Sequence, residues 1–171
     1  MRLPFKGSRP TVPAAVSAAL DLGRGEHVLA VARTLDDSHV VITTHRFVVV
    51  DPAGQAHLSR PWHLVDGGAW DQASETLRVT WVSAPPTSFR LRADQDFHGA
   101  FRERVQATVV LEEFVEFGPR LRARAAIRRD LATGDLVEQV ITGRGVSIDD
   151  PQVRQACEAA LLRLREQIGL D

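Results

Sequence analysis

A chain of 171 residues, 44% hydrophobic and 25% charged, has the size of one compact domain, or one domain with an appendage, and can bury a real core. Its 21 Lys+Arg against 22 Asp+Glu leave a net charge of -1, which excludes an overall basic field that would gather nucleic acid or anionic lipid. Cys157 is the single cysteine, so a disulfide framework and a cysteine-built zinc site are excluded as well.

The N-terminal stretch places basic residues before an apolar run, which raises the question of a signal peptide. The run from Val12 to Leu22 is interrupted by Pro13, Ser17 and Asp21, and no A-x-A pattern closes it. It reads as a short amphipathic helix ending at Gly23, with Leu3 and Phe5 in a loose arm before it. No run approaches the roughly 18 apolar residues of a membrane span, and a cytoplasmic location is expected.

Short strand patterns separated by turn residues follow. His27–Thr34, His39–Thr43, Arg46–Asp51 and Gln55–Arg60 are the first four, and Gly68–Asp71, Thr76–Ser83 and Thr87–Arg92 the next three. Seven strands so closely spaced predict an antiparallel barrel or sandwich. A helix comes next, with Asp94 as its N-cap and Asp96 in its first turn, where a negative charge suits the helix dipole. Phe97, Phe101, Val105 and Thr108 recur at helical spacing and form one apolar stripe, a plug for the open end of a barrel.

Between the second and third strands lies the corner Val41-Ile42-Thr43-Thr44-His45-Arg46-Phe47, of the form apolar-apolar-Thr-x-x-Arg-apolar. The proline–aromatic segment Arg60-Pro61-Trp62-His63-Leu64-Val65 follows it, and the stretch Arg102–Val110 resembles uncharacterised bacterial proteins of this size. In element order and in this corner, residues 26–108 resemble bacterial pleckstrin-homology-like domains. The resemblance implies a seven-stranded antiparallel barrel closed by a helix. Lipid-binding members place lysines and arginines in the first hairpin loop, but here that loop is Leu35-Asp36-Asp37-Ser38, so phosphoinositide binding is not expected.

The last third alternates as strands over Val109–Phe117, Leu121–Asp130 and Leu136–Thr142. A three-residue loop, Gly118-Pro119-Arg120, sets Phe117, Val115 and Leu111 opposite Leu121, Ala123 and Ile127, and Glu116 opposite Arg122. Arg129 is then placed to face Glu138. A helix capped by Asp149 or Asp150, with Pro151 at its first position and Gly169 after its end, closes the chain. Val153, Cys157, Ala160, Leu161, Leu164 and Ile168 form its buried stripe. The expected class is α+β. Residues 1–25 make the arm and short helix, 26–108 the barrel and its helix, and 109–171 a βββα extension packed on the barrel as one folding unit.

Candidate chemistry is sparse. His57 and His63 have no carboxylate or cysteine at a ligand spacing, and no nucleophile elbow, P-loop or H-E-x-x-H is present. Gly143-Arg144-Gly145 lacks the third glycine of a dinucleotide loop, since Ile148 holds that place, and reads as a turn. Cys157 sits within an apolar stripe and reads as buried. The run Arg120, Arg122, Arg124, Arg128 and Arg129 reads as solvated, salt-linked strands, not as a nucleic-acid face, which would want interleaved aromatics. No catalytic residue, metal or cofactor is expected. Trp70 and Trp81 are assigned to the core, and Trp62 to a groove or interface. The expected function is a non-catalytic binding or scaffolding module making protein contacts, with a protein partner or a second copy of itself, through His45, Arg46, Trp62 and His63. The rival reading is a small-ligand protein or enzyme with a pocket between barrel and extension, near His98, Glu112 and Glu113.

Overall fold

The computed structural model describes residues 10–93 and 95–169, Gln95 by its backbone alone. The expected Asp94 cap and the arm residues Leu3 and Phe5 lie outside the described residues. The chain runs α1 (Ala14–Leu20), β1 (Val28–Thr34), β2 (His39–Thr43), β3 (Arg46–Val50) and β4 (Ala56–Pro61), then a 3-10 turn (Trp62–Leu64). After the turn come β5 (Val65–Asp71), β6 (Thr76–Trp81), β7 (Thr87–Arg92), α2 (Gln95–Thr108), β8 (Val109–Gly118), β9 (Leu121–Arg129), β10 (Leu136–Thr142) and α3 (Pro151–Ile168). The class is α+β.

The first seven strands form one antiparallel sheet in the order β4-β3-β2-β1-β7-β6-β5. It stays open instead of closing into the expected barrel: β4 and β5 are its two edges and do not pair with each other. Pro61 ends β4, and the 3-10 turn separates the two edge strands. Between β1 and β7 the pairing narrows to Arg33–Arg92 and Thr34–Leu91.

Within this bent sheet lies a core of Val40, Ile42, Phe47, Val49, Trp62, Val79, Trp81 and Leu91, into which α2 lays Phe97 and Phe101. Trp81 is buried as expected. Trp70 is only partly buried: it sits on the edge strand, packs against the margin of the core and lies tilted against His98. The continuous apolar runs of β2 and β3 have a simple cause: both faces are covered. Val40, Ile42, Phe47 and Val49 point into the core, while Val41, Val48 and Val50 meet Val16 and Leu20 of α1 on the outside.

β8, β9 and β10 form a second antiparallel sheet in the order β10-β9-β8, with α3 across one face. The expected partners Leu111–Ile127, Val115–Ala123 and Glu116–Arg122 are found. The turn differs: Gly118 pairs with Leu121, so Pro119-Arg120 is the connection and Phe117 is accommodated in a bulge. Gly118 and Arg120, at φ 142° and 63°, take up the sharp reversal. Arg129 pairs with Leu136, and Glu138 takes Arg165 of α3 as its partner, so the expected Arg129–Glu138 facing does not form. α3 is capped as read: Asp150 accepts from the Gln152 N–H at 2.8 Å, Pro151 opens the helix, and Gly169 closes it in the left-handed region.

Candidate functional site

The Thr43–Arg46 corner is a tie between elements. The Thr43 hydroxyl accepts from the backbone N–H groups of His45 (3.1 Å) and Arg46 (2.9 Å), which fixes the hairpin turn, and donates to Glu26 at 2.6 Å. Arg46 Nε donates to Glu26 at 2.8 Å, and its Nη2 reaches the carbonyls of Leu20 and Asp21 at the end of α1. Burial by itself would raise the Glu26 pKa. Hydrogen bonds from Arg46, Thr43 and the Gly23 N–H outweigh burial and hold the carboxyl below the ordinary glutamate value. Thr-x-x-Arg is thus used to fasten α1 to the sheet.

The four residues expected to form a binding surface do come together, but as framework. The His45 carbonyl accepts the Trp62 backbone N–H at 3.3 Å, and Arg46 pairs with Pro61 across β3 and β4. Trp62 is fully buried, with its indole N–H donating to the Thr43 carbonyl at 2.8 Å, so it offers nothing to a partner at the surface. The reason is its position on the 3-10 turn beneath α2, where it meets Phe101 edge-on at 5.8 Å.

His63 belongs to a latch between the seven-stranded part and the extension. Its carbonyl accepts from Gln139 at 2.8 Å, and its Nδ1 lies 3.6 Å from Asp130. Burial pulls the imidazole pKa down, Asp130 pulls it up and Arg128 down, with burial prevailing. Arg124 pairs with Asp66 and, at 3.3 Å, with Glu112.

Arg128 is read from sequence as one of a solvated run, yet it is 2% exposed. No carboxylate lies within 4.0 Å of it among the described residues. Its guanidinium donates to the carbonyls of Val65 (2.8 Å), Val105 (3.4 Å) and Trp62 (3.5 Å) and, through Nε, to the Thr108 hydroxyl at 2.9 Å. Trp62, His63, Val65 and Asp66, within five consecutive residues, therefore all supply acceptors to the extension.

The rival pocket residues are dispersed. His98 lies tilted against Trp70 at a ring distance of 4.4 Å, Glu112 lies beside Arg124, and Glu113 pairs with Arg163 of α3. The junction interior is filled by Arg128 and Gln139. A shallow cleft of about 300 Å³ opens at its rim among Asp66, Phe114, Arg122, Arg124 and Ile141.

A more defined groove lies elsewhere, between edge strand β5 and α2. It measures about 500 Å³ and is lined by Gly67, Gly68, Trp70 and Leu77 on the sheet side. His98, Phe101, Arg102, Val105 and Gln106 line the helix side. Helix and strand run in opposite directions: Val65 is near Val105 and Thr108 through Arg128, Gly68 meets Phe101, and Trp70 meets His98. A Cβ on Gly68 would come within 2.6 Å of the Phe101 ring, so only glycine lets α2 settle this close to the strand. The adjacent glycines inside a strand were the one sequence signal for this groove. Arg102 is exposed on its rim and makes no ion pair among the described residues.

No protein-family model matches the chain, and no curated protein matches its sequence. No described helix is long and apolar enough to cross a membrane, and no described cluster of His, Cys, Asp or Glu could hold a metal ion.

Proposed function

We propose that the chain is a non-catalytic binding module of pleckstrin-homology-like architecture that takes an extended segment of a protein partner along β5. The carrying observation is the groove: an edge strand with no strand neighbour on one side among the described residues, glycines at its centre, and a helix wall on which apolar Phe101 and Val105 alternate with polar His98, Arg102 and Gln106. An unpaired edge offers main-chain donors and acceptors to an added strand, and side-chain pockets beside it supply selectivity. Arg102 at the rim favours a segment that carries an acidic residue beside its apolar ones. The strand order, with α2 against the interior, supports the architectural part of the reading.

A random-peptide library selected against the full chain is the direct test. Enriched peptides should protect the β5 amides from hydrogen exchange and lose affinity for the Arg102→Glu variant. A library that yields no binder, or binders that protect β4 or the extension instead, overturns the reading. Light scattering separates a partner protein, for which the free chain is monomeric, from a second copy of this chain. The small-ligand alternative rests on the rim cleft beside Asp66, and native mass spectrometry for a co-purified molecule tests it.

A further inference from the structure

We propose that Arg128 couples the C-terminal extension to the groove, making β8–β10 and α3 the element that sets the spacing between β5 and α2. The proposal rests on the groove reading above and concerns how that site is regulated.

The partners of Arg128 fall on both walls. The carbonyls of Trp62 and Val65 belong to the start of β5 and the turn before it, whereas the Val105 carbonyl and the Thr108 hydroxyl belong to the last turns of α2. Val105 itself lines the groove. The guanidinium is planar and its donors form a rigid fork, so satisfying both walls at once fixes their separation. With no carboxylate in contact among the described residues, the buried charge depends on these neutral acceptors, and moving either wall strips it of them. At the far end of the groove, the ring of Trp70 on β5 lies tilted against that of His98 of α2, 4.4 Å between centroids. The slot is therefore pinned at both ends, and one of the two pins is carried by the extension.

The other latch contacts lack this property. Among the described residues, Gln139 bonds to the His63 carbonyl and Arg124 to Asp66 on the sheet side, and neither bonds to α2. By linkage, a strand entering the groove and the docking of the extension must influence each other to the same degree. Whatever loosens β9 widens the slot, and an occupant that sets the slot at the width Arg128 prefers tightens the extension.

Dipolar distance measurement tests this in the full chain, with nitroxides on the exposed residues Ala69 of β5 and Gln106 of α2 in a Cys157→Ala background. The unsubstituted Arg128 chain should give one narrow distance peak. Arg128→Lys, which keeps the charge but cannot fork, should lose that peak to a broader and longer distribution, while Gln139→Leu should keep it. If Arg128→Lys does not fold, Thr108→Val removes the α2-side hydroxyl alone and should broaden the peak in the same sense. A narrow, unshifted peak in a folded Arg128→Lys or Thr108→Val chain overturns the coupling. So does equal broadening in Gln139→Leu, which would mean general loosening. The distances are read without any peptide, so a groove that never binds one leaves this result standing.

Discussion

The two parts of the molecule fill their interiors differently. In the seven-stranded part Phe47 makes edge contacts with Trp62 at 6.0 Å, Trp81 at 5.6 Å and Phe101 at 6.2 Å, so rings from the sheet, the turn and α2 share one core. In the extension the fully buried apolar groups are Ala123, Ala125, Ala126, Ile127, Cys157, Ala160 and Leu164, while Phe114 lies 53% exposed. Alanines on both β9 and α3 let helix and strand approach closely, but each buries little apolar surface. A sheet of three strands under one helix, about sixty residues without metal or disulfide, makes a marginal core. The difference teaches where apolar burial is concentrated: the first part holds the aromatic core, the second adds less, and each depends on the other through the polar latch on Trp62–Asp66.

Cutting the chain between the parts is the largest perturbation of this contrast. Residues 1–108 alone should melt well below the full chain, because the carbonyls that Arg128 and Gln139 satisfy lose their partners and Val105 and Thr108 are uncovered. A soluble, monomeric fragment as stable as the whole would show two independent units. Next in size, Phe101→Ala should cost about 3–5 kcal/mol in urea unfolding, as large core aromatics do. Unchanged unfolding would remove α2 from the core. Leu164→Ala in α3 should cost less, about 2–3 kcal/mol, at the low end for a leucine, since the partly buried Val110, Leu111, Val115 and Ile168 of its cluster can shift into the space. Both variants should lower one shared transition; if Leu164→Ala instead splits the melt in two, the parts unfold separately.

The smallest expected effect is the pH response of the latch. Burial holds the His63 pKa below the ordinary 6.5, Asp130 opposing and Arg128 assisting, so the folded imidazole stays neutral where the unfolded one is protonated. The stability this contributes is complete above 6.5 and is lost as pH falls from there through the folded-state pKa. Urea midpoints compared at about pH 7.5 and 5.5 should therefore fall less in His63→Gln than in the unsubstituted chain. Equal falls would mean that His63 does not titrate with folding.

Local patterns carried most of the architecture. Thr87–Arg92, Leu136–Thr142 and the ends of α3 follow from alternation, a proline at the first helical turn and a glycine after the last. What escaped the sequence depends on contacts between distant residues. Arg122, Arg124 and Arg128 share one face of β9 by parity, yet Arg122 is exposed, Arg124 is partly covered beside Asp66, and Arg128 alone is fully buried, its partner Val65 lying 63 positions away. Trp62 follows a proline at the end of an edge strand, a setting that reads as surface, but its indole N–H finds a carbonyl 19 residues back and the ring turns inward. Openness of the sheet was likewise hidden, since element order is the same whether or not β4 and β5 meet. The groove had its sign in Gly67-Gly68, but which helix presses on those glycines is a tertiary fact.

Arg128 also sets an order of events during synthesis. It follows Thr108 by 20 residues and Val65 by 63. At about 5–20 residues per second, the end of α2 leaves the ribosome roughly 1–4 seconds before Arg128 does. For that interval the ends of β5 and α2 face each other with water, not a guanidinium, between their polar groups. The aromatic core must hold the nascent sheet by itself, and the arrival of β9 is the step that dries the junction.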